Sequence, residues 1–290
     1  MTEKLPALII GQVFLNMAKR TQSDQIQLPT GITTKKGWFI SFEKIHEMFA
    51  KTNYGYILKH RIRWNMFKPT EYSGYEWERT LGPDANNLDH LLVAYEQTKD
   101  FLKNEGRFTK KEQEQLLFTS IVHDWAEPAV GDIMRYVKTK QDDERELKLL
   151  KNVLHEVLGQ DVDPSTIQKT CDILRNKDSK LGRAFNTIET IGYFETAFRA
   201  WGQSKKVNGD MKMRLKWLTS NVLLVDISKL IERARQYKSA DILLNKYNNV
   251  IQDAFTTMPD SAFKFHRHNK IEHYQKLFEK QKKLWLRYNK

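Results

Sequence analysis

Between Asn86 and Pro164 the chain is punctuated at helix-length intervals, and this punctuation confines it to a helical fold. Asn86 or Asn87 can cap a segment carrying Leu88, Leu91, Leu92 and Tyr95, and Gly106 supplies a left-handed stop. Thr109-Lys-Lys-Glu112 is a capping box, in which hydroxyl and carboxylate each satisfy a backbone N–H at the start of a helix. That helix runs through Leu116, Leu117 and Ile121 to about Trp125. Asp142–Leu158 is amphipathic and closes on Gly159, and Pro164 suits the first turn of the next helix. Residues 211–237 carry Leu215, Leu218, Val222 and Leu230 as an apolar stripe. Two further helices are expected around 240–255 and 261–288. Nearer the start, Ser41 can cap a helix bearing Ile45, Met48 and Phe49. Short apolar runs at 7–14 and 37–42 read as strands or buried turns. Residues 66–87, with Pro69, Gly74, Gly82 and Pro83, read as a long loop.

Only 13 Gly and 7 Pro among 290 residues agree with an all-α fold. Apolar residues at 40% and aromatics at 11% are enough for a core, which excludes global disorder. The organisation expected is an N-terminal extension at 1–55, a helical core at 56–240 and basic C-terminal helices packed on it at 241–290. A single cysteine, Cys171, excludes an intramolecular disulfide and suits a reducing compartment, so a cytoplasmic protein is expected. The N-terminal apolar stretches, 8–10 and 13–15, are too short for a membrane span and lack the pattern of a signal peptide. The net charge of +12 is concentrated at the C-terminus, where residues 261–290 hold nine Lys/Arg against two Glu. Such a segment can contact a polyanion or nucleic acid weakly; the competing reading is a solvated helix face.

The chemistry concentrates in Ile121-Val-His123-Asp124-Trp-Ala-Glu127-Pro-Ala-Val-Gly131-Asp132-Ile133. On a helix, His123 and Asp124 stand about 100° apart and Glu127 lies between them. They share a side with Leu116 and Leu117, so a His and two carboxylates are turned towards the interior. Burying ionised carboxylates is costly without a compensating charge, and a divalent metal supplies one. Pro128 should end or kink the helix at Glu127, and Gly131 permits a turn that places Asp132 on a loop nearby. A capped helix end with solvated acids remains the alternative. His90 lies in the helix begun at Asn86 or Asn87; alone, it would be read as a core histidine. Asp226 interrupts Val222-Leu-Leu-Val-Asp226-Ile227 and should point into the core, where either a metal or Lys229 at i+3 could compensate it.

The order His90, His123-Asp124, Asp226 resembles the HD-domain superfamily of metal-dependent phosphohydrolases. The extended piece H-D-x-x-E-x-x-x-G-D-I is similar to its bacterial 5′-deoxynucleotidase branch, which also carries an Arg-Trp pair upstream, here Arg63-Trp64. The likeness covers roughly 60–135 and 215–236. It implies an all-α HD-domain helical bundle with N-terminal and basic C-terminal extensions. It also implies one divalent metal (Mn, Co, Mg, Zn or Fe) on His90, His123, Asp124 and Asp226. Glu127 would then act in hydrolysis, Asp132 would contact the sugar or hold the site, Arg63 would meet the phosphate and Trp64 would shape the pocket. Lys229 is a further candidate for charge neutralisation at the substrate. Dinuclear members carry extra His ligands between the HD pair and the last Asp; here only His155 stands there, on a charged helix, which favours one metal. The Pro after Glu127 and the long intervals from Arg63 to His90 and from Asp124 to Asp226 depart from the pattern. The expected substrate is a (deoxy)nucleoside 5′-monophosphate, with a triphosphate as the alternative and a homodimer as the family's usual state. A different class, a nucleic-acid-binding protein with a vestigial HD site, is discriminated by whether Asp124 is needed for phosphate release.

Overall fold

In a computed structural model, which describes residues 27–130, 139–159, 162–263 and 271–289, the chain is all-α apart from one hairpin. The hairpin pairs β1 (Gly31–Thr33) with β2 (Phe39–Ser41) antiparallel, Ile32 facing Ile40. The Ser41 hydroxyl accepts from the Lys44 N–H and starts α1 (Phe42–Ala50). Phe42, Ile45 and Phe49 of α1 are completely buried, each side chain contributing about 1.5–3 kcal/mol by burial. With Ile32 they belong to the same buried cluster as the helices that follow. The run at 7–14 lies outside the described residues.

The stretch expected to be a long loop holds structure. After α2 (Asn53–Lys59), Ser73 and Glu76 form a capping box that opens α3 (Gly74–Leu81), whose Trp77 and Leu81, four residues apart, are buried. Gly74 and Gly82 masked this short helix in the sequence. Gly82 ends it at φ 83°, and a Cβ there would stand 2.6 Å from the Arg199 guanidinium. A 3-10 turn, Pro83–Ala85, follows.

Then come α4 (Asn87–Glu105) and α5 (Lys110–Val122), capped as expected by Asn86 and by the Thr109–Glu112 box, with Gly106 left-handed between them. A short α6 (Glu127–Val130) precedes α7 (Lys140–Leu158) and α8 (Pro164–Arg175). His155 is exposed on α7. Next is α9 (Lys180–Ser204), a helix of 25 residues that the sequence pattern did not reveal. It is buried around much of its circumference, with Phe185, Ile188, Phe194 and Trp201 interleaved with buried Thr187, Thr190 and Thr196, so no single apolar stripe marks it. It packs along α10 (Gly209–Ala234) and touches α3, α4, α5 and α8.

The segment read as one helix over 240–255 is two, α11 (Lys238–Lys246) and α12 (Asn248–Thr257). The 261–288 segment is a 3-10 turn at Asp260–Phe263 followed by α13 (Ile271–Tyr288). Phe278 and Trp285 dock α13 into the same core that begins at Ile32. Among the described residues no helix is long and apolar enough to cross a membrane.

Candidate metal centre

α5 ends at Val122, and His123 takes its cap position with helical backbone angles. The chain then turns, with the Trp125 N–H donating to the Val122 carbonyl (3.1 Å) and the Glu127 N–H to that of Asp124 (3.0 Å). Trp125 is fully buried and stacks on Phe49 of α1, ring centroids 4.2 Å apart. The side chains of 123–127 are thus set by a turn pinned to the core through Trp125, not by a continuous helix. His123 and Asp124 still converge: His123 Nε2 lies 3.2 Å from Asp124 Oδ2.

His90 comes from the start of α4. Asn86 fixes that end, its side-chain oxygen accepting from Leu88 and Asp89 while its amide donates to the Lys59 carbonyl at 2.6 Å. One turn inside, His90 Nε2 stands 3.7 Å from the same Asp124 Oδ2, and the two imidazoles meet edge to face at 5.3 Å. Ligand atoms of His90, His123 and Asp124 all lie within 4.8 Å of one another. Donors held about 2.0–2.2 Å from one ion are about 3–4 Å apart, so the 3.2 and 3.7 Å separations from Asp124 suit a shared metal.

The far side of each ring settles which nitrogen is free. His123 Nδ1 is 3.0 Å from the Ser120 carbonyl, which can only accept, so Nδ1 carries the hydrogen. His90 Nδ1 is 2.7 Å from Asp84 Oδ1. Asp84, in the 3-10 turn before α4, also receives Arg63 Nη1 at 2.8 Å, the Thr196 hydroxyl of α9 and, at 3.5 Å, the Trp64 indole N–H. Burial works against its charge, but Arg63, His90 and Thr196 hold its carboxyl well below the ordinary range. Both imidazoles therefore have Nδ1 committed and present Nε2, a buried atom with no well-formed hydrogen bond among the described residues, towards Asp124. Metal-binding histidines are oriented in this way, by a carboxylate or carbonyl behind the ring.

Glu189 of α9 completes the surroundings, its Oε1 3.6 Å from His123 Nε2. Burial disfavours charge on His123, yet Asp124 and Glu189 outweigh it and push the imidazole up to about 9. The Asp124 carboxyl, also opposed by burial, is driven down by His123, then His90 and Arg63. Two carboxylates thus draw a proton between them in the absence of another cation, and a divalent ion at that point would take its place.

The other expected residues fall as follows. Arg63 reaches the site through Asp84, and nearby acids raise its already high pKa despite burial. Trp64 adopts a left-handed backbone, φ 61°, unfavourable for a bulky residue, with Tyr193 edge-on at 5.8 Å. Glu127 accepts from the Asn87 amide at 2.9 Å, and Arg61 donates to its main-chain oxygen. Asp132 lies outside the described residues.

Asp226 is buried on α10, as its apolar flanks required, but it does not join the group formed by His90, His123 and Asp124. Lys229 lies on the same helix, and Arg63 is a cation whose field, besides the histidines, reaches Asp124. Glu189 was missed together with its helix. Its signal is weaker than the one at Asp226: a lone carboxylate within an uncharged run, Thr187-Ile-Glu-Thr-Ile191. Asp84 could have been found as an acid trapped between Pro83 and Ala85 ahead of a capped helix.

Comparison of the chain with models of known families, with curated proteins and with solved structures found no match.

Proposed function

We propose that the chain is a metal-dependent phosphohydrolase of the HD type, acting on nucleotides, with (deoxy)nucleoside 5′-monophosphates as the first choice of substrate. The observation that carries this reading is the pair of buried imidazoles, each tied at Nδ1 and aiming Nε2 at one Asp124 oxygen. Such a donor set has little use in a core except to hold a cation. His90, His123 and Asp124 would bind one divalent ion, with Glu189 as an adjacent carboxylate. A divalent ion held there would supply Lewis acidity towards a phosphoryl oxygen and towards the attacking water.

The chain's own groups supply the rest. Asp84 fixes the His90 ring and binds Arg63, whose remaining N–H groups are a source of positive charge for a phosphate. Glu127 holds its carboxylate against Asn87, next to the start of α4, where it can hold and pass a proton. Trp64 and Tyr193 form an aromatic corner beside Arg63, suited to a sugar or base. A triphosphate remains the alternative substrate, since the same donor set serves both reactions.

The test is phosphate release from a nucleotide panel by chelator-stripped protein given Mn²⁺, Co²⁺ or Mg²⁺ singly. Free phosphate from monophosphates, abolished in Asp124→Ala, supports a nucleotidase. Tripolyphosphate from triphosphates moves the assignment to that branch. No turnover by folded, metal-loaded protein overturns it.

A further inference from the structure

We propose that the outward face of α13 binds the phosphate backbone of a nucleic acid. Lys276, Lys280, Lys283 and Arg287 recur at i, i+4, i+7 and i+11, one stripe about 16 Å long. All four are exposed, and with Ser228 and Gln275 they line a groove between α13 and α10. Among the described residues none of the four has an ion pair. Glu279, the one acid lining the groove, lies 4.0 Å from Lys282, which does not line it. Like charges at this spacing disfavour a helix; Glu272 and Glu279, four residues before Lys276 and Lys283, offset part of that repulsion, and a bound anion would offset more.

The length of the stripe selects the kind of anion. A single phosphate can satisfy one or two of these cations, whereas a chain of phosphates can satisfy all four at once. The opposite face of α13 excludes a lipid surface as the first choice. Phe278 and Trp285 are buried, Phe278 packing on Phe255 at 5.0 Å and Phe263 at 5.2 Å, so the apolar side that a membrane-surface helix would insert is already committed. Docking also fixes the helix that carries the four cations before any ligand arrives, which lowers the entropic cost of binding. None of these residues belongs to the metal centre, so this inference and the hydrolase reading stand or fall separately.

The experiment uses the full chain and a fluorescent 20-nucleotide DNA, single-stranded and duplex, with anisotropy followed from 50 to 200 mM salt. Four phosphate neutralisations predict a log–log slope of about −3.6 on duplex or about −2.8 on single strand, the former a loss of about 150-fold over that range. In Lys276→Gln/Lys280→Gln/Lys283→Gln/Arg287→Gln the binding and most of the slope should vanish while nucleotide hydrolysis is unchanged. A control of equal charge, Lys140→Gln/Arg145→Gln/Lys148→Gln/Lys151→Gln on exposed positions of α7, should keep both. Three results overturn the proposal. They are no salt-dependent DNA binding by the native chain, an equal loss in the α7 control, or binding confined to phosphatidylserine vesicles.

Discussion

Asp84 stands behind His90, Oδ1 to Nδ1 at 2.7 Å, on the side of the ring away from Asp124. A carboxylate there fixes both the tautomer and the direction of Nε2. Asp84→Asn should lower metal affinity by about 10–100-fold, the usual cost of losing such a partner. It also leaves the Arg63 guanidinium without its counter-charge, so Tm should drop as well. Thr196→Val removes one donor to the other Asp84 oxygen and should weaken affinity less. Metal titration of both variants beside thermal melts checks the order; an Asp84→Asn protein with native affinity would remove Asp84 from the account.

Glu189 and Asp226 offer a direct contrast. Glu189 Oε1 is 3.6 Å from His123 Nε2, while neither Glu189 nor Asp226 belongs to the close group of His90, His123 and Asp124. Glu189→Gln should therefore reduce bound metal and phosphate release together, and Asp226→Asn should leave metal content near that of the native chain. Elemental analysis of the two purified variants decides between them, and the reverse pattern would restore the ligand set inferred from the sequence.

What could be read beforehand follows from how local the cause is. The caps at Ser41, Asn86 and Thr109 are decided within four residues, and they stand where the sequence placed them. His123 and Asp124 stood out because polar groups at core positions need a reason to be there, whereas His90, alone a core histidine, joined them only through the HD-domain resemblance; the structure brings the three close together. α9 was not legible, since a helix buried on most sides has no stripe to betray it, and Glu189 and Thr196 were hidden with it. For Asp226 the burial was foreseen correctly, but burial alone does not say which neighbour it faces. The azimuth argument for Glu127 assumed a helix that stops at Val122, and the turn that replaces it depends on Trp125 finding Phe49, a distant contact.

That contact gives a third prediction. Phe49→Ala empties a fully buried ring position beneath Trp125 and should cost about 3–5 kcal/mol. Because Trp125 anchors the turn bearing His123 and Asp124, the folded fraction should also bind metal less tightly. Phe49→Leu fills more of the space and should recover most of both. Denaturant unfolding and metal titration, run on the same samples, would expose a purely structural role if affinity stayed constant.

A fourth concerns pH. His46 is buried on α1, its Nε2 3.3 Å from the Leu88 carbonyl, and burial pushes its pKa below the usual imidazole value despite that bond and the nearby Asp89 and Glu47. The unfolded chain therefore takes up the proton first as the solution is acidified. The stability this histidine contributes is full above about pH 6.5 and is lost as pH falls towards its folded value. Urea midpoints at pH 7.5 and 5.5 should differ less in His46→Gln than in the native chain. Identical differences in the two proteins would show that other groups control acid sensitivity.

The central claim is that His90, His123 and Asp124 form a metal site. The most direct measurement is the metal content of purified protein, dialysed against Mn²⁺, Co²⁺ or Zn²⁺, for the native chain and for Asp124→Ala and His123→Ala. About one ion per chain, lost in both variants while the helical circular dichroism is kept, is the result this account predicts. A native chain that holds no ion, or variants that hold as much as it does, would contradict it.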